Sequence, residues 1–90
     1  MELPSLPTFR VFLERLATEY NTELFDAALD PHPPGYPTRG RHLTRRWKEG
    51  RIFVLIPGRL ALDKEMVPTV LRMLCAGLEI DPKDFGLVLH

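Results

Sequence analysis

The residue types with the greatest chemical potential stand together in the middle of the chain. Residues 39–51 contain one histidine and six basic side chains against a single carboxylate, Glu49. The histidine is His42, and the basic residues are Arg39, Arg41, Arg45, Arg46, Lys48 and Arg51. Cationic groups at this density favour a polyanion, or an acidic partner matched to them. An imidazole titrates near neutral pH, so His42 adds a group that can exchange protons at the same place.

The formal net charge is zero, yet the charges are segregated along the sequence. Residues 1–30 carry −4, residues 31–60 carry +6 and residues 61–90 carry −2. A basic centre between two acidic segments has two interpretations. It binds a polyanion or an acidic partner, or it pairs with the protein's own acidic helices. The sequence leaves both open.

A β-hairpin is the element predicted to hold the basic residues. Residues 41–47 form its first strand, residues 48–50 its turn, and residues 51–56 an almost wholly apolar return strand that ends before Pro57. Gly50 is expected to supply the positive φ that a short hairpin loop needs.

Side chains alternate along a strand, so the first strand of the hairpin divides its polar groups between two faces. One face carries His42, Thr44 and Arg46, and the other carries Arg41, Leu43, Arg45 and Trp47. Unless a bulge intervenes, no single face collects all the basic groups.

Before the hairpin, apolar residues spaced three and four apart predict an amphipathic helix from Phe9 to about Leu29. Ser5 or Thr8 is expected to cap its start. The weak helix formers at residues 21–22 either break this helix or begin a second one. Residues 30–38 contain four prolines and a glycine, which predicts a rigid loop.

After the hairpin, residues 58–62 are interpreted as a short third strand or a loop. Asp63 is a candidate cap, but Pro68 fits best in the first turn of a helix that begins near Val67. Gly77 is expected to end that helix as the residue after its cap. Finally, a short helical turn begins at a cap on Asp81 and Pro82 and anchors Phe85 in the core.

These elements predict one α+β domain spanning residues 1–90, with helices on one face of a small two- or three-stranded antiparallel sheet. The single cysteine, Cys75, excludes an internal disulfide and is expected to be a small buried hydrophobe. No apolar run approaches the roughly 18 residues of a membrane span. With no signal peptide and no disulfide, we expect a cytoplasmic protein without membrane contact. His32 has no second histidine or cysteine at ligand spacing, so neither a metal nor another cofactor is predicted.

A series of short motifs also runs through residues 40–85. They are Gly40-Arg41-His42, the glycine turn at 48–50, the apolar strand ending at Pro57, Thr69-Val70-Leu71-Arg72-Met73-Leu74, Gly77-Leu78 and Asp84-Phe85. This series resembles the HicA-type toxins, small RNA-cutting proteins with a fold like double-stranded RNA-binding domains. The resemblance covers about half of the chain.

The resemblance implies RNA as a partner and an antitoxin-like protein as a second one. Metal-independent RNA cleavage needs a base for the ribose 2′-hydroxyl and a cation for the phosphorane, and His42 would be that base. Trp47 would stack on a nucleobase. The phosphates would be bound by Arg39, Arg41, Arg45, Arg46, Lys48 and Arg51.

Two other functions fit the same residues, so the sequence leaves open whether the chain is an enzyme. One is a non-catalytic interaction module that docks an acidic protein or completes a homodimer. The other is a small DNA-binding accessory protein. Loss of RNA cleavage in a folded His42→Ala variant is expected only for the ribonuclease.

Overall fold

Two α-helices flank a three-stranded antiparallel sheet in the chain order α1, β1, β2, β3, α2. The computed structural model describes residues 6–26, 40–57 and 60–87. The elements are α1 (Phe9–Glu19), β1 (Thr22–Asp26), β2 (Arg41–Trp47), β3 (Gly50–Leu55), α2 (Pro68–Gly77) and a 3₁₀ helix, Pro82–Phe85. The predicted α+β class, with an N-terminal helix, a small sheet, a C-terminal helix and a short helical turn, is confirmed.

Helix α1 is shorter than predicted. The hydroxyl of Thr8 accepts a hydrogen bond from the amide of Val11 at 3.2 Å, so Thr8 is the cap. At the other end Tyr20 is the C-cap, and the next residue, Asn21, has a φ of +50°. Asparagine tolerates this left-handed conformation, which turns the chain out of the helix. The expected continuation to Leu29 is therefore wrong for residues 21–26, whereas the alternative of a break at residues 21–22 is confirmed. Residues 27–29 lie outside the described part.

Besides the two strands of the hairpin, the sheet contains β1, which precedes the hairpin in the sequence. It pairs antiparallel with β2, and Leu24 lies opposite Leu43. The segment 22–26 contains threonine, leucine and phenylalanine, which suit a strand as well as a helix. Of the two interpretations of 58–62, a short third strand or a loop, the described residues 60–62 fit the loop, and residues 58–59 lie outside the described part. The predicted proline-rich loop at 30–38 lies outside the described residues.

Strands β2 and β3 form the predicted hairpin. Its turn is two residues long, because Trp47 pairs directly with Gly50 across Lys48 and Glu49. Lys48 has a φ of +57°, whereas Gly50 lies in β3 and has no positive φ. Two-residue hairpin loops need a positive φ inside the loop. Here Lys48, the first residue of the loop, supplies it. The expectation for Gly50 is thus corrected, and the strain falls on Lys48.

Helix α2 begins as predicted and ends in a different way. Val67 is the cap and Pro68 occupies the first helical position. The amide of Ile80 donates to the carbonyl of Cys75 at 2.8 Å, and that of Glu79 donates to Ala76 at 3.2 Å. This pair of bonds is the Schellman motif, in which Glu79, with a φ of +55°, is the left-handed residue.

Gly77 is the last residue of α2 and not the residue after its cap. Its role is close packing against the sheet. A Cβ atom added at Gly77 would lie 2.6 Å from Cγ2 of Val54 and 2.9 Å from its Cβ. Only glycine allows α2 to approach β3 this closely.

The hydrophobic core lies between the sheet and both helices. Its buried members are Phe9, Phe12, Leu16, Leu43, Ile56, Met66, Leu71, Leu74, Cys75, Leu78, Ile80, Phe85 and Leu87. Asp81 caps the 3₁₀ helix by accepting from the amide of Lys83, and Phe85 is buried, as predicted. Burial raises the pKa of the Cys75 thiol to about 12, so this cysteine is a buried hydrophobe, also as predicted.

The segment before α2 is tied to the start of α1. Thr8 and Glu65 form an isolated antiparallel bridge. The amides of Phe9 and Arg10 donate to the carbonyls of Lys64 and Leu62, at 3.2 and 3.0 Å. None of the helices within the described ranges has the length and hydrophobicity to cross a membrane.

Near this bridge, Asp63 does not cap a helix. It forms an ion pair with Arg10, with 3.0 Å between Nη2 and Oδ1.

Candidate nucleic-acid interface

The sheet has an inner face, which packs against both helices, and an outer face. Leu43 pairs with Leu24 on one side and Val54 on the other, and it is buried in the core, so these three residues define the inner face. Pairing continues without a bulge along all of β2. The inner face therefore also carries Arg41, Arg45 and Trp47. The outer face carries Glu23, Phe25, His42, Thr44, Arg46, Arg51, Phe53 and Leu55. The predicted division of the basic residues thus holds.

Arg45 is a structural residue of the inner face. Its Nη1 donates to the carbonyl oxygens of Leu78 and Glu79, at 2.6 and 3.1 Å. These carbonyls belong to the C-terminal end of α2, where the helix leaves acceptors without a partner of their own. The guanidinium also lies 3.8 Å above the ring of Trp47, and only 7% of the residue is exposed. Arg45 is consequently not an exposed phosphate ligand, contrary to the role proposed for it from the sequence.

The other two inner-face residues of the predicted site, Arg41 and Trp47, are half-buried. The guanidinium carbon of Arg41 lies 5.8 Å from the ring centre of Phe9. One face of the Trp47 ring is covered by Arg45, and the ammonium of Lys48 lies 5.8 Å from the ring centre. Both side chains take part in packing at the hairpin, which leaves little ring surface of Trp47 for a nucleobase.

Three cationic side chains remain exposed at the turn end of the hairpin: Arg46, Arg51 and Lys48. We refer to them as the hairpin-end cluster. Arg46 and Arg51 are directly opposite each other on the outer face. Like charges directly opposite each other in a sheet repel one another. Neither Arg46 nor Lys48 forms an ion pair with another residue in the described ranges.

A polar depression of about 390 Å³ adjoins the hairpin-end cluster. Arg46 and Arg51 line it together with Ala17, Asn21, Thr22, Glu23 and Thr44. Glu23 is its one acidic residue. The depression thus contains two guanidinium groups and the side-chain amide of Asn21, which are donors that bind a phosphate, whereas the hydroxyl of Thr22 donates to the carbonyl of Tyr20.

His42 lies on the outer face but is fully buried. Its ring stacks on Phe25, with 5.5 Å between centroids and 12° between planes. On its other side the ring of Phe53 lies 6.2 Å away. A general base must come within hydrogen-bond reach of the proton it removes. In this arrangement the predicted catalytic histidine contacts two aromatic side chains and is not exposed to a substrate.

Two acidic side chains near the helices, Glu19 and Asp84, form contacts with residues of α1 and its C-cap. Arg15 of α1 pairs with Glu19 of the same helix at 2.7 Å, which lowers the pKa of the Glu19 carboxyl. The hydroxyl of Tyr20 donates to Oδ2 of Asp84 at 2.7 Å. Burial, and then this hydrogen bond, raise the pKa of Tyr20 to about 12. The Tyr20–Asp84 hydrogen bond joins the end of α1 to the 3₁₀ helix.

Two predicted features remain outside this geometry. Arg39 and His32 lie beyond the described residues. Within residues 6–26, 40–57 and 60–87, no group of three or more His, Cys, Asp or Glu side chains is arranged to hold a metal ion.

Sequence reasoning assigned no functional role to Phe25 and Phe53. The alternation of side chains along β1 and β3 places both rings on the same face as His42, but this follows only once the register of the strands is known.

The sequence matches no protein-family model, and no curated protein and no solved structure is significantly similar to it.

Proposed function

We propose that this chain is a HicA-like RNA-binding protein whose hairpin-end cluster binds the phosphates of the RNA backbone. The observation that carries the proposal is the placement of Arg46 directly opposite Arg51 on the outer face, with Lys48 in the adjoining turn. The α, β, β, β, α order is compatible with the double-stranded RNA-binding-domain-like fold that the sequence resemblance implies.

Binding through three cations has a definite salt dependence. Each phosphate that is neutralised releases condensed counterions, so affinity falls as salt rises. Three phosphate contacts correspond to a loss of roughly 20- to 40-fold between 50 and 200 mM salt. Binding of an acidic protein to the same cluster would also weaken as salt rises, but that protein would compete with RNA for the site.

RNA cleavage by His42 is the second candidate function. It is favoured by the alternation of β2, which places His42 and Arg46 on the same face, four residues apart. Four strand residues span roughly 13 Å, so Arg46 would hold the RNA backbone beside the phosphodiester on which His42 acts. Cleavage requires the groups that bury His42, Phe25 and Phe53 among them, to move aside, since the imidazole is fully buried.

The test is fluorescence anisotropy of a labelled RNA oligonucleotide with the double variant Arg46→Glu/Arg51→Glu. Arg72→Glu is the matched control, because Arg72 is an exposed arginine on α2, which packs against the inner face of the sheet. We expect the double variant to lose at least tenfold in affinity and the control to change less than twofold. Equal effects of both variants, or no salt-dependent binding by the original protein, contradict the proposal.

Cleavage is assayed on the same RNA with His42→Gln beside the original protein. We expect His42→Gln to bind RNA and to lose any cleavage. Cleavage that survives this change removes His42 from the mechanism and leaves the binding proposal in place.

A further inference from the structure

We propose that a second copy of this chain pairs with the edge of β1 that faces away from β2. The two sheets then join into one antiparallel sheet of six strands, with a two-fold axis at Leu24. This inference does not depend on RNA binding, because it concerns the edge and the inner face of the sheet and not the hairpin-end cluster.

Strand β1 lies at one edge of the sheet, and in the described part of the chain it pairs with β2 alone. The amide of Arg46 donates to the carbonyl of Asn21 at 3.3 Å, so these two residues form a hydrogen-bonded pair. Along an antiparallel ladder such pairs alternate with pairs that are not hydrogen-bonded to each other. The backbone N–H and C=O groups of Thr22 and Leu24 therefore point away from β2, to where a further strand would lie.

This edge lacks the features that normally keep another chain away from an edge strand. Proteins protect such strands with lysine or proline, with a bulge, or with a helix laid over the edge. Strand β1 contains neither lysine nor proline, and its ladder with β2 has no bulge. Helix α1 does not close over the edge, because a cleft of about 400 Å³ separates it from β1.

The cleft between α1 and β1 is lined mainly by apolar side chains. Leu13 and Ala17, one turn apart on α1, line it together with Leu24 of β1 and the core residues Leu16 and Leu43. Leu24 is 40% exposed, although Leu43, its neighbour across the ladder, is buried. A partner that pairs with β1 would thus cover an apolar surface that continues into the core.

The sequence of β1 is complementary to itself in an antiparallel pair. When Leu24 lies opposite Leu24 of the second copy, the two leucines meet on the inner face, where the cleft lies. Thr22 then lies opposite Asp26 and Glu23 opposite Phe25, so no carboxylate directly faces another. A shift that brings Glu23 opposite Glu23 of the second copy would oppose like charges and pair fewer residues. The register centred on Leu24 is therefore the favoured one.

A second copy covers this surface better than a lone extended peptide would. A peptide supplies a strand, whereas a second copy supplies a strand and a helix. Two-fold symmetry places its α1 antiparallel to α1 of the first copy, over the seam between the two β1 strands. Leu13 and Ala17 of each copy would then help to cover the cleft of the other. Such an isologous contact is the commonest in homo-oligomers, and a domain of this size gains from burying more apolar surface.

The test measures the molar mass by sedimentation equilibrium at protein concentrations from micromolar to millimolar. Leu24→Lys places like charges opposite each other at the centre of the seam. Leu62→Lys is the matched control, because Leu62 is 39% exposed and does not line the cleft. Thermal unfolding establishes that each variant is folded.

We expect the mass of the original protein to rise with concentration from 10.4 kDa towards twice that value. Leu24→Lys should weaken the association by at least about tenfold, whereas Leu62→Lys should change it less than about twofold.

A second measurement tests the register and does not depend on the lysine variants. Directly opposite residues of a hydrogen-bonded pair have Cα atoms about 5.5 Å apart, which suits a disulfide. Oxidation of Leu24→Cys should therefore give a covalent dimer, and oxidation of Leu62→Cys should not. The native Cys75 is buried and does not compete.

The inference is overturned if the original protein stays at 10.4 kDa at every concentration. That outcome would leave the edge of β1 to an extended segment of a different protein. Equal effects of the two lysine variants, or cross-linking of Leu62→Cys in place of Leu24→Cys, would likewise overturn it. None of these results bears on the RNA affinity of the hairpin-end cluster, so the proposed function is tested separately.

Discussion

Arg45 of the central strand donates from Nη1 to the carbonyl oxygen of Leu78 at 2.6 Å, which joins the sheet to the C-terminal end of α2. The same nitrogen lies 3.1 Å from the carbonyl oxygen of Glu79. The adjacent residue, Arg46, points to the opposite face and is exposed. Two neighbouring arginines of the same basic segment therefore have different tasks, one in stability and one in the candidate site.

Replacing Arg45 by methionine should destabilise the fold, because it leaves the buried carbonyl oxygen of Leu78 and the partly buried one of Glu79 without their donor. We expect a loss of about 2–3 kcal/mol in the free energy of unfolding, measured by urea titration. Arg46→Met is the matched control, and as a surface change it should cost less than about 0.5 kcal/mol. For RNA affinity the order should be reversed, with Arg46→Met the more damaging. The same order in both assays would show that the two arginines are not divided in this way.

The Tyr20–Asp84 hydrogen bond should make stability depend on alkaline pH. The pKa of Tyr20 is raised from 10.0 to about 12, so folding favours the protonated phenol. Its contribution is complete below pH 10 and is lost as the pH rises from 10 to 12. Tyr20→Phe should cost about 1 kcal/mol at pH 7, and the difference from the original protein should shrink above pH 10. Thermal unfolding from pH 7 to 11 measures both, and a constant difference contradicts the assignment. Comparison of the two proteins cancels the titration of Cys75, whose pKa is raised over a similar range.

Gly77→Ala should destabilise the contact between α2 and β3. The new Cβ would lie 2.6 Å from Cγ2 of Val54, so either the helix or the side chain must shift. We expect a loss of about 1–3 kcal/mol, typical of overpacking. In the background of Val54→Ala the same change should cost much less, because the clashing methyl groups are absent. Additive effects of the two substitutions in chemical denaturation would exclude this contact as the reason for glycine.

Glu79→Gly should stabilise the protein. Glu79 holds the left-handed position of the Schellman motif with a φ of +55°, a conformation that costs a non-glycine residue about 1–2 kcal/mol. Glycine removes that strain but has more freedom in the unfolded chain, so we expect a net gain of about 0.5–1 kcal/mol. Glu79→Ala retains the strained backbone and should bring no such gain in melting temperature. A loss of stability on introducing glycine would show that the Glu79 side chain makes the larger contribution.

Much of the fold could be predicted from local signals. The β2–β3 hairpin, the position of Pro68 at the start of α2 and the Asp81 cap each follow from residue types within a few positions. Strand β1 could not, because Leu24 fits the helical period that precedes it and its true neighbour, Leu43, is distant in sequence. The positive φ at Lys48 could not be predicted, because Gly50, two positions later, is the residue type that tolerates such a φ at no steric cost.

The candidate site was predicted in composition and only in part in arrangement. Alternation along β2 correctly separated Arg46 from Arg45, but it does not reveal which face the helices cover. The carbonyl oxygen that binds Arg45 is 33 residues away, so no local pattern could assign that side chain to structure. The aromatic contacts of His42 likewise come from Phe25 and Phe53, on two other strands.

The bridge between Thr8 and Glu65 bears on the order in which the protein folds. The amides of Phe9 and Arg10 in the first turn of α1 bond to carbonyls more than 50 residues later, whereas the hairpin closes over two residues. Closing a long loop costs entropy before its contacts can form. The hairpin is therefore expected to belong to the folding nucleus, with substitutions there slowing folding. Substitutions in the first turn of α1 should instead speed unfolding, since that turn is completed only after the rate-limiting step.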